Sequence, residues 1–163
     1  MGVAIGEIIA GPILRRLTPT QIVLWWVSPF ECQGRFNCYQ HDNIIAEVEF
    51  NPDNLSTVRV GQRAVVHLLD LELALPIEQV IEYDLIIDRT GQSKSLAQTV
   101  AHLTYEGKAK PSLVVQPHIT NMLHGSCRNP HHSSQDSLLA GDQKVAETLD
   151  SVDQRQALMM LSG

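Results

Sequence analysis

The chain is poor in cysteine, and the three it has, Cys32, Cys38 and Cys127, make an odd number at wide spacing. That excludes a disulfide framework of the kind that staples small secreted domains. The gap between Cys32 and Cys38 is too long for a zinc knuckle, so both are expected to be ordinary reduced thiols. Basic residues are scarce too: 12 Lys and Arg against 18 Asp and Glu leave a formal charge of −6, and the basic residues are scattered. With no basic patch to track a phosphate backbone, nucleic acid is not expected as a partner. Long apolar runs are also missing. Val3 to Leu14 is broken by Gly6, Glu7, Gly11 and Pro12 and follows no basic segment, which argues against a signal peptide or a membrane span. Gly6 stands where a myristoylation signal needs Ser or Thr. These absences predict a cytoplasmic chain with no membrane partner. The sequence also lacks repeats, low-complexity tracts, G-x-S-x-G, a P-loop, H-E-x-x-H and a dinucleotide fingerprint.

What remains is 163 residues with 44% hydrophobic content, enough for one ordinary core or for a small domain plus part of another. Gln21 to Ser28 is rich in β-branched and aromatic residues between turn formers, which predicts a strand. Ile44 to Phe50 is a second, closed by the dense turn signal Asn51-Pro52-Asp53-Asn54. Thr57 to Val60, Ala64 to Leu69 and Gln79 to Ile87 follow, punctuated by Gly61 and Pro76, and Asp88 to Gly91 reads as a turn. Regular short strands of this kind predict an antiparallel β-sandwich over residues 1–110, of the immunoglobulin or fibronectin type. The Leu75-Pro76 turn followed by Tyr83 resembles the corner tyrosine of immunoglobulin-like domains.

After a short helix within Leu96 to Leu103 and a linker-like stretch at 105–111, the grammar changes. Ser112 to Gln116 and Ile119 to His124 read as strands, Asp136 to Leu149 as a helix, and Ala157 to Leu161 as an uninterrupted apolar run. Residues 111–163 are therefore expected to begin an α/β domain with a right-handed βαβ unit. An apolar strand like the last belongs in a parallel sheet buried on both faces, which needs helix layers and flanking strands. That requirement predicts the front part of a larger assembly.

The one dense chemical constellation is His124-Gly125-Ser126-Cys127-Arg128-Asn129-Pro130-His131-His132. It begins at the C-terminal end of a predicted parallel strand, where open α/β sheets place their sites. A thiolate with nearby imidazoles suits zinc or iron, and Arg128 could clamp a phosphate. The plainer reading is a small buried cysteine in a polar loop. His41, His67, His102 and His118 stand alone and are expected to be structural. Trp25 and Trp26 are adjacent on one strand and must face opposite ways, one into the core and the other either towards a docked second domain, the favoured reading, or onto a recognition surface. Asp84, Asp88, Asp142, Glu147, Asp150 and Asp153 read as solvated carboxylates.

Two stretches resemble the PhoD-like (alkaline phosphatase D) metallophosphatases. Gly11 to Trp25, with its Thr18-Pro19 turn, is similar to the opening of that family's N-terminal β-sandwich. Leu123 to His132, followed by Asp136, a helix and Leu158-Met159-Met160-Leu161-Ser162-Gly163, is similar to the start of its catalytic domain. The resemblance implies a phosphoester hydrolase with iron and calcium, in which Cys127 is an iron ligand. Arg128, His124, His131 and His132 are then substrate-contacting or supporting candidates. In the family the apolar strand runs into Gly-Asp-Gln, and Gly163 matches that glycine. With one candidate metal ligand present, the chain by itself is expected to be inactive, its partners being a phosphoester substrate and the remainder of the catalytic domain. Two alternatives stay open: a non-catalytic β-sandwich interaction module, and a small structural metal site built from Cys127 with His124, His131 and His132.

Overall fold

Alternation of inward and outward side chains along one strand organises the molecule. The computed structural model describes residues 6–100, 102–125 and 138–161. In β2, Gln21–Ser28, the residues Ile22, Leu24, Trp26 and Ser28 are turned inward, and the strand pairs antiparallel with β1, Ala10–Thr18, and with β6, Ala64–Glu72. Adding β5, Ser56–Val60, gives a four-stranded sheet of order β1-β2-β6-β5. The second sheet has the order β4-β3-β7-β8, formed by β3, Gly34–Gln40, β4, Asn43–Phe50, β7, Val80–Arg89, and β8, Gln92–Lys94. A fifth strand, β9, Ser112–Val114, pairs with the other end of β7. The two sheets pack as an antiparallel β-sandwich.

The expected strands are found, and three more, β1, β3 and β8, join them. In β3 the polar residues Arg35, Asn37 and Gln40 mask the alternation, yet Phe36 and Cys38 are fully buried between the sheets. β1 carries Pro12 because it is an edge strand, where a missing N–H costs nothing, and two register shifts absorb its extra residues. Gly34 is required by a close approach: a Cβ there would lie 1.8 Å from the Ile86 carbonyl oxygen. The β3–β4 hairpin turns through His41 and Asp42, both at positive φ, the geometry that matches the twist of a two-residue hairpin. His41 is thus a turn residue.

The core is the Trp26 indole meeting Phe50 edge-on, with ring centroids 5.7 Å apart, beside Phe36, Leu85 and Ile87 of the opposite sheet. Each such side chain contributes about 1.5–3 kcal/mol through burial. Tyr83 lies within β7, its ring tilted against Phe36 at 6.0 Å. Asp84 departs from the expected solvated surface. It is 7% exposed, because the short helix α1, Leu96–Thr99, folds over it and the Leu96 N–H donates to its Oδ1 at 2.8 Å.

Beyond the sandwich, β10, Met122–Gly125, runs parallel to β11, Leu158–Leu161, with α2, Leu138–Glu147, between them in sequence. The apolar run was expected to be buried on both faces. Instead Leu158, Met159 and Met160 are exposed, because among the described residues β11 has one strand neighbour and α2 is the helix between the two. No helix among the described residues is long and apolar enough to cross a membrane.

Truncating Leu24 to Ala in this core is expected to cost about 2–5 kcal/mol, whereas Val58→Ala on the outward face should stay within about 0.5 kcal/mol. Urea unfolding of the two variants measures the contrast.

Candidate functional site

The parallel register pairs Met122 with Leu158, Leu123 with Met159, His124 with Met160 and Gly125 with Leu161. The chain therefore leaves both strands at the same end, β10 at Gly125 and β11 at Leu161. His124 is exposed on β10, on the face shared with Met122, Leu158 and Met160. Leu123 lies on the opposite face, turned towards Gly141 of α2, where a Cβ would stand 3.9 Å away in ordinary van der Waals contact. Cys127, Arg128, His131 and His132 lie outside the described residues. Among the described residues no three His, Cys, Asp or Glu side chains come together as a metal site, so they do not themselves fit an iron and calcium centre.

What orients this strand pair is a polar joint that the sequence did not reveal. Arg155 precedes β11 and reaches back to the sandwich, donating from Nη2 to the Ser112 carbonyl at 2.7 Å and from Nη1 to Ser112 Oγ at 3.2 Å. The same Nη1 donates to the Leu149 carbonyl at 2.7 Å, at the end of α2. One planar guanidinium thus ties β9, α2 and the approach to β11 together, a geometry an ammonium does not reproduce. Gln116 adds two bonds from its Nε2, to the carbonyls of Val152 and Arg155 at 3.0 and 2.9 Å. From the preceding connection, Tyr105 donates to Asp142 Oδ1 at 2.7 Å and Lys108 pairs with Asp150 at 2.7 Å. Burial, helped by the Asp142 carboxylate, holds the Tyr105 hydroxyl up at about 12, so it remains a donor across the physiological range. Asp142 and Asp150 are exposed, as expected of surface carboxylates, and also take part in this joint. A cleft of about 170 Å³ opens beside it, lined by Glu78, Gln116, His118, Thr120, Val152 and Asp153 among others. Trp25 lies elsewhere, on the outward face of the four-stranded sheet, while the joint is built on β9 and the segments flanking it.

A second grouping has the residue types of a nucleophilic site: Ser28, Cys32 and His67. His67 Nε2 is 2.8 Å from Ser28 Oγ, and Cys32 Sγ is 3.3 Å from the same oxygen. Ser28 in turn donates to the Phe30 carbonyl. With that proton committed, the serine oxygen accepts from the imidazole N–H and from the thiol, the reverse of the proton flow that activates a serine. All three side chains are fully or almost fully buried, and the Trp26 ring stacks on His67 at 5.0 Å. The group is a buried polar hub that holds the β2–β3 loop down through His67 Nε2, while His67 Nδ1 is buried without a hydrogen-bond partner. Burial pushes the Cys32 thiol up and the His67 imidazole down, so both stay neutral.

Two outcomes follow. Because His67 is held below its ordinary value of 6.5, the unfolded chain binds the proton more readily, and stability is lost as pH falls through that value. Asp84 acts in the opposite sense, since burial raises its pKa and its ionisation opposes folding as pH rises above 3.8. His67→Gln is therefore expected to flatten the pH dependence of the melting midpoint just below pH 6.5 relative to the parent chain. Arg155→Lys should lose on the order of 2 kcal/mol at the joint. Hydrogen exchange would then accelerate in α2, β10 and β11 and leave β2 and β7 unchanged.

Comparison of the chain with protein-family models, with curated proteins and with solved structures found no match.

Proposed function

We propose that the chain is the N-terminal part of a metal-dependent phosphoester hydrolase of the PhoD-like type, a sandwich followed by the first βαβ unit of the catalytic domain. The observation that carries this reading is the parallel pairing of β10 with β11 across α2. It sets the two strand ends side by side, with Cys127 two residues beyond Gly125 and Ser162-Gly163 directly beyond Leu161. In open α/β sheets that end is where ligands and reacting groups gather. The strand order also favours the immunoglobulin or fibronectin type: β1-β2-β6-β5 follows the A-B-E-D order, and β4-β3-β7-β8 the C′-C-F-G order. In this reading the chain is cytoplasmic, Cys127 is a thiolate ligand to iron, and Arg128 with His124, His131 and His132 serves substrate or supporting roles. Iron and calcium would supply charge stabilisation and an activated water in the complete centre. Tyr105, Lys108 and Arg155 position the strand ends and take no part in chemistry.

A second reading, a non-catalytic interaction module, is favoured by one observation. The outward face of the four-stranded sheet bears Trp25 between Ile13 and Leu68, the latter two exposed.

Since the reading assigns this chain one metal ligand, the purified 163-residue protein is expected to release no phenolate from aryl phosphate mono- or diesters above background with added iron and calcium. Chelator-sensitive turnover by it would refute the assignment. The codons following Gly163, in any frame, are expected to read Asp-Gln and then further ligand residues with parallel-sheet patterning. A stop without such a continuation would remove the catalytic reading and leave the module.

A further inference from the structure

The outward face of the four-stranded sheet is apolar at one end, polar at the other, and symmetric about its second strand. Antiparallel pairing fixes which side chains share this face. Ile13 on β1 and Leu68 on β6 flank Trp25 of β2, and one row further along, Arg16 and Asp70 flank Val23. The next row places Thr18 and Glu72 on either side of Gln21. Solvent reaches the apolar rows: Ile13 is 46% exposed, Leu68 37%, and Val58 of the adjoining β5 63%. A sheet face in water ordinarily alternates to polar residues, so an apolar one calls for a covering surface.

The two flanks of β2 complement each other. Apolar Ile13 balances apolar Leu68, and cationic Arg16 balances anionic Asp70. Arg16 is exposed and makes no ion pair among the described residues, while Asp70 accepts one hydrogen bond, from Gln21 Nε2 at 2.7 Å. A two-fold axis lying along β2 in the plane of contact exchanges the β1 flank of one copy with the β6 flank of the other. Every Arg16 then meets an Asp70, every Ile13 a Leu68, and Trp25 lies on the axis. Such self-complementarity is what an isologous interface requires. The axis also leaves the strands of the two sheets nearly aligned, the commoner mode of sheet packing.

We propose that this face binds a second copy of the chain about that axis, Arg16 of each copy pairing with Asp70 of the other. This inference is independent of the catalytic reading. From strand and residue spacings, three strands and four rows cover about 400 Å² per copy. A standard-size interface takes about 800 Å² per partner, so the dimer is weak, with a dissociation constant on the order of tens of micromolar or more.

Sedimentation of the full chain up to about 500 µM tests it, with circular dichroism as the folding control. The parent chain is expected to pass from monomer to dimer. Arg16→Asp and Asp70→Arg should each raise the dissociation constant at least about tenfold, because like charges then meet at both symmetric contacts. The decisive arm mixes the two. An equimolar mixture of R16D and D70R restores opposite charges at both contacts, and heterodimer is expected where neither variant dimerises alone. Leu68→Glu, at an already exposed site, should abolish association by itself. A parent chain that stays monomeric at the highest concentration overturns the proposal and leaves the face to another partner. So does association that survives both reversals, or that is removed by Met160→Lys instead, which would place the contact on the exposed β10–β11 face.

Discussion

Period-two burial along β2 is the constraint on which the rest of the structure depends. Ile22, Leu24 and Trp26 must be covered on their inward side, and covering them fixes the register of β1 and β6 and brings the second sheet against the first. Shifting that register by one residue would turn Trp26 outward and Trp25 inward, along with Val23 and Val27. The polar hub of Ser28, Cys32 and His67 extends the same inward row to the end of the strand. There the chain must turn away, and the Phe30 carbonyl would otherwise lack a donor. The hub is therefore part of the sandwich's closure and not a reactive site, even though it contains a thiol, a hydroxyl and an imidazole.

The C-terminal strand pair is held by different physics. Its attachment to the sandwich includes charged and polar contacts through Arg155, Gln116, Lys108 and Tyr105. Directional bonds of this kind set an orientation more than they add stability, since exposed ion pairs such as Lys108 with Asp150 contribute little. Arg155 differs from them in being half-buried and in using two nitrogens on three acceptors. Whatever chemistry gathers at the end of β10 and β11, its position relative to the sandwich depends on this joint, in which the guanidinium makes three of the bonds.

Among the described residues two apolar surfaces are left exposed, and they differ in character. The face of β10 and β11 carries Met122, Leu158 and Met160 beside His124, largely apolar as in a sheet interior. The outward face of the sandwich combines its apolar rows with a flanking cation and anion, the composition of a specific contact between folded surfaces. The first fits a sheet that is extended by further strands, and the second fits a docking surface.

Local sequence was sufficient for most of the sandwich. Turn residues and β-branched alternation placed β2, β4, β5, β6 and β7 because hairpins are specified by neighbouring residues. It also determined the helix and the apolar strand of the last segment, and it singled out the Cys127 stretch as the densest chemistry. Only the tertiary structure decided the rest. Asn37 and Arg35 hid β3, since polar residues in a strand look like a loop until the covering layer is known. Asp84 became buried because α1 folds over it, and Arg155 became a bolt because β9 lies within its reach. Burial and long-range hydrogen bonding depend on which distant segments meet. That information resides in the packing of the sheets and not in any window of the sequence.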